Sequence, residues 1–175
     1  MMFKYLWIAA IVYALDQVSK YFAVKFLAMG SISITSFLDL TLVYNTGAAF
    51  GFLSSASGWQ NMLFVGIALV AMVVVLTMAR RLGVNDVQVA IGLMLVLGGA
   101  AGNLTDRLAH GYVIDFINLY YPSDGSFCFW PFGLSGGGCH WPVFNVADAA
   151  ISVGAVLLVL DALGFGFGPR HGQKD

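Results

Sequence analysis

The residues best placed to do chemistry are two aspartates at the edges of apolar segments. Asp148 lies in Phe144-Asn145-Val146-Ala147-Asp148-Ala149-Ala150, at the start of a long apolar run. A carboxylate inside a membrane costs about 2.5–3.5 kcal/mol at mid-depth and less near the interface, so one found there points to function. The structural alternative is an N-terminal Asp stabilised by the helix dipole. Asp115 lies in Gly111-Tyr112-Val113-Ile114-Asp115-Phe116-Ile117. Alone it reads as an ordinary loop aspartate. Its weight comes from topology: the apolar run before it leaves the membrane on the side where the run at Asp148 re-enters. The two carboxyls can therefore meet at one depth, and two carboxyls that meet share a proton. The ionised partner then takes a proton from water while the protonated one polarises a carbonyl, the arrangement aspartic proteases use.

Other polar residues stand at helical spacings around this pair. Asn145 is three residues from Asp148, which a helix places on one face. Asn103 and Arg107 are four apart and share a face. Arg107 can hold a substrate carbonyl or a lipid headgroup oxygen, or merely snorkel. Asp106 is expected to point elsewhere, as a solvated helix end. Asp16 precedes Lys20 by four, the favourable order for an intrahelical ion pair. A buried pair holding helices in register is the preferred reading there. Asn45, in Tyr44-Asn45-Thr46-Gly47-Ala48-Ala49-Phe50, is either a turn residue or an arm reaching the substrate backbone. Cys128, Cys139 and His140 fall short of a four-ligand zinc set. The cysteines are free thiols, or a disulfide if their loop faces an oxidising compartment. No metal and no cofactor is expected.

The elements that must position these residues are membrane helices. The chain has 175 residues, 59% hydrophobic and only 10% charged. A soluble domain carries roughly 25% charged residues, so lipid must solvate much of this surface. The acids are all aspartate, and the net charge of -1 argues against a nucleic-acid partner. Four apolar stretches, about 5–27, 61–79, 87–104 and 146–163, approach the ~20 residues a spanning helix needs. The first could be a cleaved signal peptide, but no small-x-small site follows it. Lys4, Arg80, Arg81, Arg170 and Lys174 fall on one side, against Lys20, Lys25 and Arg107 on the other. This positive-inside bias places both termini in the cytoplasm. Trp59, Tyr120, Tyr121, Trp130 and Trp141 gather at the outer interface as an aromatic belt.

The expected architecture is an all-α integral membrane protein forming one domain over 1–175, with extracytoplasmic segments 28–60 and 105–145. The alternation in 31–45 predicts two short strands. Residues 46–58 suit a short amphipathic piece lying on the membrane. The second outer segment holds a Gly- and Pro-rich stretch, 122–142.

Five motifs now stand in order. Asp16-Gln17-Val18-Ser19-Lys20, Asn45-Thr46-Gly47-Ala48-Ala49-Phe50, Gly98-Gly99-Ala100-Ala101-Gly102-Asn103-Leu104-Thr105-Asp106-Arg107, Gly111-Tyr112-Val113-Ile114-Asp115-Phe116 and Phe144-Asn145-Val146-Ala147-Asp148 together resemble bacterial lipoprotein signal peptidase, signal peptidase II. Each motif is weak alone, but five in order with matching topology are specific. The resemblance implies a four-span aspartyl endopeptidase of the bacterial cytoplasmic (inner) membrane, with a small extracytoplasmic β-cradle and a short surface helix. Such enzymes remove the signal peptide of diacylglyceryl-modified prolipoproteins just before the lipidated cysteine. It implies Asp115 and Asp148 as the catalytic pair, with Asp16, Lys20, Asn45, Asn103, Arg107 and Asn145 in support. It also implies contact with membrane lipid, a monomer, and inhibition by globomycin-like peptides. Residues 122–142 depart from the pattern as an insertion relative to the family's shorter loop. The competing reading is a small proton-coupled exporter using Asp16 and Lys20, but that chemistry wants its acid at the midplane with access from both sides. A catalytically silent assembly factor leaves the convergence of carboxylates and asparagines unexplained.

Overall fold

A computed structural model describes residues 4–47, 59–83, 85–122, 128, 133–135 and 138–166. Four helices carry the molecule: α1 (Leu6–Leu27), α2 (Trp59–Arg80), α3 (Val87–His110) and α4 (Val146–Ala162). Their bounds follow the apolar stretches closely, except that α3 continues to His110. Its last turn, Thr105 to His110, is polar in sequence, and hydropathy alone ends the element too early. Gly111, at φ 83°, closes α3 in the left-handed conformation and returns its N–H to the Arg107 carbonyl.

Helix α3 is the central post, and the other three helices pack on it. Without a hydrophobic drive between helices in lipid, close packing of small residues does this work. A Cβ on Gly99 would run into the Ala147 carbonyl of α4, and one on Gly102 would overlap the Asp16 carboxylate of α1. Glycine at both places lets three backbones approach. Nearer the other end, Ala9, Val75, Ala79, Leu93, Met94 and Leu97 form a buried apolar cluster.

The outward faces stay apolar. Met62 is 74% exposed, and Ile67, Val70 and Val73 accompany it on α2. An unpartnered apolar surface of this extent suits lipid rather than water. Helices α2 and α3 are long and apolar enough to cross a membrane. Helix α1 carries Asp16, Lys20 and Lys25, and α4 has 17 residues.

A five-stranded antiparallel sheet stands at one end of the helices, in the order β1-β2-β3-β5-β4. Strands β1 (Ile32–Thr35) and β2 (Leu38–Asn45) are the two expected from the alternation in 31–45. Strand β3 (Val113–Pro122) was not foreseen, and β4 (Gly133–Ser135) and β5 (Gly138–His140) extend it. Ala23 and Leu27 of α1 pack with Phe116 of β3 and seat the sheet on the helices. The surface piece expected at 46–58 falls almost wholly outside the described residues, as do Trp130, Arg170 and Lys174. Cys128 and Cys139 form a disulfide, which decides between the two readings left open for them.

Candidate active site

Asp115 sits on β3, opposite Val43 of β2 and 1% exposed. Its neighbours on the strand, Ile114 and Phe116, are buried as well, so the carboxyl emerges from an apolar setting. Asp148 sits in the first turn of α4. The two are brought together by Asn145. That residue was expected to share a helical face with Asp148. Instead it precedes the helix as its N-cap, with extended backbone at φ -129°. The spacing of three is that of a capping box: Asn145 Oδ1 accepts the Asp148 N–H at 2.9 Å, and Asp148 Oδ2 accepts the Asn145 N–H at 3.3 Å. The carboxamide nitrogen is left free to point at β3, where it donates to Asp115 Oδ1 at 2.7 Å. One residue thus holds both carboxylates, one by its backbone and one by its side chain.

Two more asparagines complete the shell. Asn45, at the end of β2, donates from Nδ2 to Asp115 Oδ2 at 2.9 Å. Its Oδ1 accepts the Gly47 N–H at 2.8 Å, an Asx-type turn that fixes the direction of the amide. Asn103 on α3 donates to Asp148 Oδ1 at 2.7 Å and accepts from Asn145 Nδ2 at 3.1 Å. Of the two readings for Asn45 the geometry shows the turn residue, and it adds a partner neither reading named, the Asp115 carboxylate.

Behind this shell lies a buried ionic cluster. Lys20 reaches Asp16 at 2.8 Å, the intrahelical pair expected from the spacing. Lys20 also donates to Asn103 Oδ1 at 3.0 Å and so touches the asparagine that holds Asp148. Asp16 Oδ1 accepts the Ala147 N–H at 2.9 Å, tying α1 to the first turn of α4. Asp106 is not a solvated helix end. It is 2% exposed and pairs with Lys20 at 2.8 Å. The reading failed because hydropathy sees a polar residue at a helix end and cannot see a cation arriving from another helix. A signal was present: Gly98, Gly102 and Asp106 recur every four residues, and this stripe faces Ala9, Asp16 and Lys20 along α1. Gln17 was also missed; its Nε2 bonds Asp16, Asp106 and the Gly102 carbonyl. A cavity of about 280 Å³ opens beside Lys20 and Asp106, walled by Tyr21, Tyr44 and Tyr112.

Arg107 leans over the Phe64 ring of α2, 5.1 Å from its centre, with Nη1 3.5 Å from the Asn103 carbonyl. Its charge acts on both Asp148 and Asp115 without a direct ion pair among the described residues. Among those residues, no group of three or more His, Cys, Asp or Glu is set to hold a metal ion.

The Asp115 carboxyl is pushed up to about 6. Burial is the main cause, opposed by the Asn45 hydrogen bond and then reinforced by the charge of Asp148. A carboxyl of this kind keeps a proton in mildly acidic conditions, where a free one has lost it.

The profile of the family described as Signal peptidase (SPase) II matches residues 8–164, a span that takes in every polar residue above. The chain belongs to the signal peptidase II family. A lipoprotein signal peptidase of Pseudoalteromonas atlantica is 45% identical over 159 residues, covering 90% of this chain and 88% of the relative. One from Pseudomonas syringae pv. tomato is 45% identical, covering 90% and 84%. A solved structure described as a bacterial membrane enzyme, determined in meso at 1.9 Å resolution, superposes with a TM-score of 0.72 at 26% identity, covering 92% of this chain and 93% of the other. This chain is therefore a protease of the signal peptidase II family and a bacterial membrane protein.

Proposed function

We propose that the protein is an aspartyl endopeptidase that cuts diacylglyceryl-modified prolipoproteins just before the lipidated cysteine, with Asp115 and Asp148 as its catalytic pair. The observation that carries this reading is the Asn145 bridge, which joins a carboxylate on a sheet to one on a helix. The pair holds one proton. The ionised member removes a proton from water, and the water oxygen bonds to the scissile carbonyl carbon. The protonated member gives its proton to the carbonyl oxygen. The tetrahedral intermediate collapses as the C–N bond breaks. One proton passes to the leaving nitrogen of the lipidated cysteine, and a carboxyl terminus remains on the signal peptide. Asn45, Asn103 and Asn145 hold the pair in line, and the positive charge of Arg107 acts on both carboxylates.

A lipid-bearing peptide cannot leave the bilayer, so the site must stand at its surface. We place the four helices as four membrane spans of a single domain over 1–175. Both termini are in the cytoplasm and the sheet is at the outer face. The apolar outward surfaces of α1, α2 and α4 support this, and so does a disulfide, which needs an oxidising compartment. Membrane lipid surrounds a monomer, and globomycin-like peptides occupy the site of the substrate.

The test is cleavage of a fluorescent diacylglyceryl peptide by purified protein, with Asp115→Asn and Asp148→Asn beside it. Both variants are expected to insert normally and to lose cleavage. Full activity in either removes the pair from the mechanism. Proton-driven solute flux in liposomes with no peptide product would favour the exporter.

A further inference from the structure

The geometry points to Asp106 as a positioning residue that aims both carboxylates at once, a role resting on the catalytic pair proposed above. Two separate paths leave this one side chain. Asp106 Oδ2 accepts the Ile114 N–H at 3.1 Å, and Ile114 is the residue before Asp115. This bond crosses from the last turns of α3 to the start of β3 and fixes where the strand begins. Oδ2 also pairs with Lys20 at 2.8 Å. Lys20 then bonds Asn103 Oδ1, and Asn103 Nδ2 bonds Asp148 Oδ1. One carboxylate therefore sets the strand that carries Asp115 and steadies the amide that holds Asp148.

The partners leave Asp106 little freedom. Gln17 Nε2 donates to Oδ1 at 3.1 Å, so both oxygens are engaged from two other elements. Two acids, Asp16 and Asp106, share the one Lys20 ammonium. That excess of acid is more than an ion pair needs for neutrality. It is what a cation needs to be gripped from two sides and held on Asn103. Nothing in Asp106 reaches the reacting atoms; it acts through Ile114, Lys20 and Asn103.

Asp106→Asn keeps the size and shape of the side chain, removes its charge, and sets an NH2 group either against Lys20 and the Ile114 N–H together or, flipped, against Gln17 Nε2. The expected result with the lipidated peptide in detergent is kcat lower by about a hundredfold, the cost of misplacing reacting groups by an ångström. KM stays within about twofold, because the bound substrate is not touched. Folded protein with native kcat, or a loss confined to KM, overturns the proposal. If Asp106→Asn does not fold, Gln17→Leu decides: it removes the donor to Oδ1, along with the bonds to Asp16 and the Gly102 carbonyl, leaves the Lys20 and Ile114 bonds to Oδ2 in place, and is expected to lower kcat about fivefold at unchanged KM. Native kcat in a folded Gln17→Leu then overturns the proposal. The catalytic pair is tested separately. Full activity in Asp115→Asn or Asp148→Asn would end that reading, while dead pair variants beside a native Asp106→Asn would end only this one.

Discussion

Asn145 donates from Nδ2 to Asp115 Oδ1 at 2.7 Å while it caps the helix that carries Asp148. A cap usually serves its own helix. Here the same residue spans the gap to a strand, so the start of α4 and the place of Asp115 are one decision. Asn145→Ala removes the cap and leaves Asp115 Oδ1 without its donor. The cap alone is worth about 0.5–2 kcal/mol, and the unsatisfied partner adds about 1–3 kcal/mol. Thermal unfolding in detergent is expected to show that loss, and the cleavage assay a fall in kcat larger than the loss of folded protein explains.

The pH dependence follows from Asp115. With its carboxyl at about 6, the shared proton leaves as pH rises through that value. The pair then lacks its acid, so kcat/KM, which reports the free enzyme, falls above about pH 6. Substrate that excludes water from the site moves the limb of kcat to higher pH. Stability has the matching sign. The folded carboxyl lies above its usual 3.8, so the native state binds more protons between the two values. Its contribution is present below about 4 and is lost as pH climbs to about 6. A kcat/KM flat from pH 5 to about 8 contradicts the assignment.

Lys20 is 2% exposed and stands between two buried acids. Lys20→Met strands both carboxylates. Breaking a buried pair in this way costs about 3–5 kcal/mol, which a denaturation midpoint will register. A midpoint equal to native would mean the cluster contributes no order.

Two glycines separate packing from propensity. Gly102→Ala places a methyl group on the Asp16 carboxylate and is expected to cost about 1–3 kcal/mol. Gly66→Ala on α2 meets nothing within 4 Å and gains up to about 1 kcal/mol of helix propensity. Equal effects in the two would refute close α1–α3 packing.

The Cys128–Cys139 bond closes a short loop, with a sequence separation of 11. Cys128→Ser with Cys139→Ser is expected to lower stability by roughly 2–4 kcal/mol. Cleavage at low temperature stays, because the pair is held elsewhere. Loss of cleavage in folded protein would place the loop inside the site.

The helices were legible because hydropathy decides them, and β1 with β2 because alternation does. Strand β3 was not, although Val113-Ile114-Asp115-Phe116-Ile117 is rich in strand formers. The strand is buried on both faces at its start, so it shows no alternation, and Asp115 breaks the apolar run. Asp115 and Asp148 could be proposed from their places beside apolar runs. Asn145 was named, but as a helical neighbour, because its extended backbone is a property of the junction. Asp106 showed only as the end of the stripe Gly98, Gly102, Asp106 at four-residue spacing, and Gln17 not at all, since the cation and the acid that engage them arrive from another helix. The disulfide needed only the spatial approach of β5 to residue 128.

Phe144 forms an isolated bridge with Ile117, and its N–H and carbonyl both bond that residue, at 3.1 and 2.8 Å. The chain leaving β3 is thus buckled back onto it one residue before Asn145. That main-chain clasp ties the strand carrying Asp115 to the residue beside Asn145, so strand and helix start are registered against each other without help from any side chain.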